Sequence, residues 1–157
     1  MQQLLFLVFA MLLMGDAVAE RVFGLAKSTR ALSGDTIVYR YVQQWEPGFV
    51  QARQPVRVIV TWPYKGNRGM PATAELDRMD ALEAALESLE ATGLATLALV
   101  TTGNDLREWT YYATSESAFI SDLNKALKSS KPFPIEISIA EDPTWSTYLR
   151  FTSSIKQ

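Results

Sequence analysis

Apolar and polar side chains begin to alternate regularly at Thr36–Trp45 (TIVYRYVQQW). On an expected strand there, Ile37, Tyr39 and Tyr41 share one face and Val38, Arg40 and Val42 the other. The same period of two returns in Val56–Trp62, where Val56, Val58, Val60 and Trp62 share a face. The period then lengthens. Leu76, Met79, Leu82, Leu86 and Leu89 recur at spacings of three and four, predicting a helix with Thr73 as its N-cap and Gly93 at its end. Glu83, Glu87 and Glu90 read as an acidic outer face of that helix. Leu94–Thr102 is apolar almost throughout, as a strand covered on both faces would be.

Gly103-Asn104-Asp105 is a tight-turn signal that joins this strand to Leu106–Thr114. There Arg107, Trp109, Tyr111 and Ala113 alternate with Glu108, Thr110 and Tyr112. Ser115 caps a second expected helix, with Phe119, Ile120, Leu123 and Leu127 on its buried side and Pro132 and Pro134 beyond its end. Ile135, Ile137 and Ile139 mark a further strand, Glu141-Asp142-Pro143 a turn, and Trp145–Thr152 a last edge strand. Only a short strand near Val22-Phe23 is expected before residue 34. From Val56 the order is strand, helix, strand, strand, helix, strand. The fold class this predicts is α+β: a ferredoxin-like split βαβ sandwich, its antiparallel sheet carrying two helices on one face and extra strands.

Composition narrows the chemistry. The chain has 157 residues, 15 Lys and Arg against 17 Asp and Glu, and neither Cys nor His. A net charge of −2 provides no basic footprint for nucleic acid. Without His and Cys there is no Ser-His-Asp or Cys-His catalysis, no thiolate zinc site and no disulfide. A metal would have to be a hard cation held by oxygens; neither a metal nor a cofactor is expected. Leu4–Met14 is an unbroken apolar run too short to span a bilayer, and Ala17-Val18-Ala19 follows as a small-x-small cleavage pattern. Residues 1–19 therefore read as a cleaved export signal, leaving 20–157 as one domain, periplasmic or secreted, with no stable membrane anchor. The turn-rich Pro63–Pro71 holds Lys65 and Arg68 but lacks any phosphate-loop spacing, and reads as a connection.

The run TGNDLREWTYYAT followed by PFPIEISIAEDPTWSTY, with WPYKGNRGMP before it, resembles the bacterial family known as domain of unknown function 695. The resemblance implies an α+β sandwich, distantly similar in architecture to the regulator of ribonuclease E activity B, and no established activity. An export-type start points away from the intracellular role of that regulator. Its motif positions fall on Arg107, Glu108, Trp109, Tyr112, Pro134, Asp142, Pro143, Trp145 and Tyr148.

With Arg40 from the neighbouring strand, the patch expected to bind is Arg40, Arg107, Glu108, Trp109, Tyr112, Asp142 and Trp145, on a sheet face turned away from the helices. No catalytic residue is assigned. The leading expectation is a non-catalytic binding module whose partner is a protein or small molecule, with a homodimer among the arrangements allowed. Two alternatives stand beside it. One is a carboxylate enzyme using Glu108 or Asp142 with Arg107 as anion clamp. The other is an inhibitor or regulator acting through the acidic helix. Adjacent residues on a strand point to opposite faces, so Arg107 and Glu108 are not expected to act as one pair unaided.

Overall fold

A computed structural model describes residues 20–155. The elements in chain order are β1 (Val22–Thr29), β2 (Thr36–Gln44), β3 (Val56–Pro63), α1 (Thr73–Ala91), β4 (Ala95–Gly103), β5 (Leu106–Ala113), α2 (Glu116–Leu127), β6 (Glu136–Glu141) and α3 (Ser146–Ile155). The strands form one six-stranded sheet in the order β1-β2-β4-β5-β3-β6, antiparallel at every pairing. β3 and β4, joined through α1, are separated by β5, and β5 and β6, joined through α2, are separated by β3. This is an α+β fold. The expected export signal lies outside the described residues, and among these no helix is long and apolar enough to cross a membrane.

The β4–β5 hairpin turns on Asn104 and Asp105, both left-handed at φ 54° and 60°. Paired positive φ values match the right-handed twist of the flanking strands, and Asn and Asp tolerate them better than most side chains. Loop 64–70 docks against this turn: Asp105 N donates to Gly69 O at 3.1 Å, and Gly66 N donates to Asp105 Oδ1 at 2.9 Å.

Strand alternation divides the apolar side chains between two layers. Val56, Val58, Val60 and Trp62 of β3, with Trp109 and Tyr111 of β5, pack under Met79, Leu82, Leu86 and Leu89 of α1 and Phe119 and Leu123 of α2. Both expected helices thus lie on one side, and Ser115 caps α2 by accepting from Ala118 N at 3.2 Å. The expected cap at Thr73 is not made: the helix starts after Ala72 with no side-chain cap. Before residue 34 the chain forms an eight-residue strand, β1, longer than the short segment expected.

The largest departure lies at the C-terminal end. The segment expected to add an edge strand is the helix α3, on the other side of the sheet. Val42, Ala98 and Tyr112 meet Trp145 and Tyr148 there in a second, smaller core, with Trp45 and Phe49 against it. The face away from α1 and α2 is therefore partly roofed. Tyr39 and Tyr41, which would otherwise be bare rings, contact Phe151 of α3 at centroid distances of 4.8 and 5.3 Å.

Candidate functional site

The seven residues expected to share a patch occupy two sides of the sheet. Arg40, Arg107 and Trp109 face α1 and converge on Glu83. Trp109 Nε1 and Arg107 Nη2 donate to Glu83 Oε2 at 2.8 and 3.0 Å, and Arg40 donates to Oε1. Burial alone would push the Glu83 carboxyl up. The hydrogen bonds from Trp109 and Arg40, with the charges of Arg40 and Arg107, outweigh it and hold the carboxyl below its ordinary range. Glu75 and Glu90 act similarly along the same helix, Glu75 accepting from Trp62 Nε1 at 2.6 Å and Glu90 from Leu97 N at 2.8 Å. The acidic row read as an outer surface is thus largely a seam that fastens α1 to the sheet. Of its three members only Glu87 is exposed. Glu83 and Glu90, two of the three carboxylates of the expected inhibitor face, are thus engaged with donors from the sheet.

On the opposite side Tyr112, Asp142 and Trp145 form one structural unit. Asp142 Oδ1 accepts from Ser146 N at 2.7 Å, and its Oδ2 accepts from Thr147 N at 3.1 Å and from the Tyr112 hydroxyl at 2.8 Å. Asp142 is therefore the cap of α3. Burial opposes its charge, but the two backbone donors and the hydroxyls of Ser146 and Tyr112 prevail and lower its pKa to about 2. The Tyr112 ring stacks on Trp145 with centroids 3.8 Å apart and planes 7° from parallel. Trp145 Nε1 donates to the carbonyls of Gln51 and Gln54 at 3.0 and 2.9 Å.

Glu108 lies on this side too, since it alternates with Trp109 and shares a face with Tyr112. Burial pushes its pKa up. Arg107 is on the far side of the sheet from both Glu108 and Asp142, and Asp142 already accepts three hydrogen bonds. The expected carboxylate–arginine constellation is therefore not assembled.

What Tyr112, Asp142 and Trp145 do support is a cleft of about 480 Å³ between the end of β2, the segment following it and α3. Tyr41, Val42, Gln43, Trp45, Gln51, Tyr148, Leu149, Thr152 and Ile155 line it. Trp45 stacks on Phe49 (4.4 Å, 11°) and meets Trp145 and Tyr148 edge-on at 5.3 and 5.5 Å, so its ring is held from several directions. Tyr148 Oη donates to Val42 O at 2.6 Å, which ties α3 to β2, and burial raises its pKa. None of the lining side chains is an Asp, Glu, Lys or Arg. The volume lies within the ordinary range of ligand pockets.

A smaller cleft of about 220 Å³ opens on the α1 side beside Arg40, Arg107, Met70 and Leu76. Its two guanidinium groups are already engaged by Glu83. Among the described residues no group of three or more acidic side chains is placed to hold a metal ion.

The signal that sequence reading passed over is QQWEPGF at the end of β2, where amide side chains adjoin aromatic ones, together with the recurrence of Trp145, Tyr148, Thr152 and Ile155 at helical spacing.

A family model matches residues 38–153, from the third residue of β2 almost to the end of α3. The chain belongs to DUF695, a family of unknown function. No curated protein and no solved structure was found to match it. The matched span of this DUF695 chain contains every residue lining the larger cleft except Ile155, along with Asp142 and Trp145 that anchor its helical wall. β1 falls outside the match.

Proposed function

We propose that this DUF695 chain is a non-catalytic binding module that holds an uncharged, partly apolar ligand in the cleft between β2 and α3. The observation that carries the reading is the lining itself. Aromatic rings of Tyr41, Trp45 and Tyr148 offer stacking surface, and Gln43, Gln51 and Thr152 offer neutral donors and acceptors. No acid, base or activated nucleophile stands among them. Tyr148 already donates to Val42 O, and Thr152 to Leu149 O at 3.2 Å. A charged ligand would lose hydration there without gaining an opposite charge.

The test is a titration of the protein with neutral oligosaccharides and end-blocked peptides, with simple carboxylates and amines as contrast, followed by tryptophan fluorescence and ligand-detected NMR. Neutral compounds are expected to bind wild type, and Trp45→Ala and the cleft-filling Thr152→Trp to abolish binding. Equal binding by Thr152→Trp, or a preference for charged compounds, would refute the reading. Export belongs to the same proposal, supported by the apolar run Leu4–Met14 and the Ala17-Val18-Ala19 pattern. Protein recovered outside the cytoplasm should begin at Glu20; retention of the first 19 residues by the cellular protein would remove that part.

A further inference from the structure

The two edges of the sheet differ in how they are guarded. β6 is six residues long, begins and ends with Glu136 and Glu141, and is flanked by Pro134 and Pro143. Short length, charge and proline are the usual means by which an edge resists pairing. β1 carries one of these protections, the charge of Lys27, and lacks the other two. It runs eight residues without proline, pairs only with β2 among the described strands, and exposes Val22, Phe23 and Leu25, the last at 77%. We propose that β1 pairs antiparallel with β1 of a second copy of this chain, about a two-fold axis at Leu25, to make one continuous twelve-stranded sheet.

The register follows from symmetry and charge. An axis perpendicular to the sheet keeps the α1–α2 layers of both copies on one side and places same-face residues opposite each other, so the axis must pass through a residue pair. Three such registers retain most of the strand. Centring on Gly24 sets Arg21 against Lys27, a like-charge pair. Centring on Ala26 sets Leu25 against Lys27 and Val22 against Arg30. Centring on Leu25 sets Leu25 against its own copy, Phe23 against Lys27, and Glu20 against Arg30, the last two twice by symmetry.

Arg21, engaged with Glu90 at 2.8 Å, and Arg40 already lie over the Phe23 ring at 5.2 and 5.7 Å, so Lys27 of the second copy would meet that side chain through its alkyl stem. Glu20 and Arg30 are both exposed, and neither forms an ion pair among the described residues. The Glu20–Arg30 pairing, made twice about the axis, favours a second copy over a foreign strand. The inference is independent of the cleft, which lies at the β2–α3 junction.

The chain has no cysteine, so a single engineered thiol gives an unambiguous cross-link. Protein as recovered from cells should sediment as a dimer. On mild oxidation Leu25→Cys should form a disulfide-linked dimer, whereas Asn124→Cys, exposed on α2, should not. Glu20→Arg should weaken the dimer by about tenfold or more, and Glu20→Arg/Arg30→Glu should restore it. Restoration by the double variant separates interface charge from a folding defect. A monomer at every concentration reached, cross-linking equal at positions 25 and 124, or a dimer indifferent to Glu20→Arg would overturn the proposal.

Discussion

At the scale of single residues, carboxylates whose charge is held by the fold carry much of its specificity. Glu83 receives Arg40, Arg107 and Trp109. Removing one member of a half-buried ion cluster leaves the others desolvated and unpaired, so Glu83→Leu should cost about 3 kcal/mol in a denaturant titration. Among the described residues, the ion pair left to Arg107 would be the one with the exposed Asp80, at 3.4 Å. Glu87→Leu, one turn further along and exposed, should change stability by about 0.5 kcal/mol or less.

Asp142 makes the matching case on the other side of the sheet. Its folded pKa is lowered to about 2 from an ordinary 3.8, so its ionised form is the one the fold favours. The stability it contributes is complete above about pH 4 and is lost as pH falls toward about 2. Asp142→Asn should therefore flatten the acid limb of the stability profile in that window. At neutral pH it should cost about 1 kcal/mol, the scale of a lost helix cap. An acid limb unchanged by the substitution would show that Asp142 does not set it.

At the scale of elements, α3 explains why part of the chain was legible and part was not. β3, β5 and both longer helices could be read because their apolar residues keep a single period from end to end, as Val56–Trp62 and Leu76–Leu89 show. α3 was not, because Thr147, Tyr148, Phe151 and Thr152 are residues that favour strands, and its helical spacing spans only ten residues. What makes it a helix is tertiary: the Asp142 cap, the stack of Trp145 on Tyr112 and the tie from Tyr148 to Val42. The site shared that difficulty. A strand and a turn at 142–152 lend Asp142 and Trp145 to an open patch, whereas a capped helix makes them its anchors. Glu83 and Glu90 were misplaced for a related reason: carboxylates beside an apolar stripe look solvated until indole and guanidinium donors are seen beneath them.

Trp145 also stands at φ 56°, a left-handed conformation uncommon for a bulky side chain. Its ring and indole bonds offset that strain, so Trp145→Ala should remove about 3–5 kcal/mol of local packing. The expected result is release of α3 with the α1–α2 layer intact, read as lost near-ultraviolet dichroism and fast amide exchange confined to 146–155. Global unfolding in place of local release would contradict a separable second core.

At the scale of the whole molecule, the sheet joins two unequal layers, and protection should follow from which strands lie between them. β4 and β5 are flanked by strands on both sides. β4 is buried over most of its length and β5 is buried at six of its eight positions. Opening either requires parting the α1–α2 core, so their amides should exchange only through global unfolding. α3 rests on the smaller core, and β1 pairs only with β2 among the described strands, so both should open at lower free energy. Native-state hydrogen exchange should therefore rank β4 and β5 slowest, β3 and β2 next, and α3 and β1 fastest in dilute protein. β1 carries a further condition, because pairing with a second copy would occupy its outward amides. Raising the protein concentration should then slow exchange in 22–29 while leaving α3 at its dilute rate. A β1 that exchanged equally fast at all concentrations would leave the edge unpaired and the dimer unsupported, whereas slowing of β1 and α3 together would locate the contact between copies elsewhere.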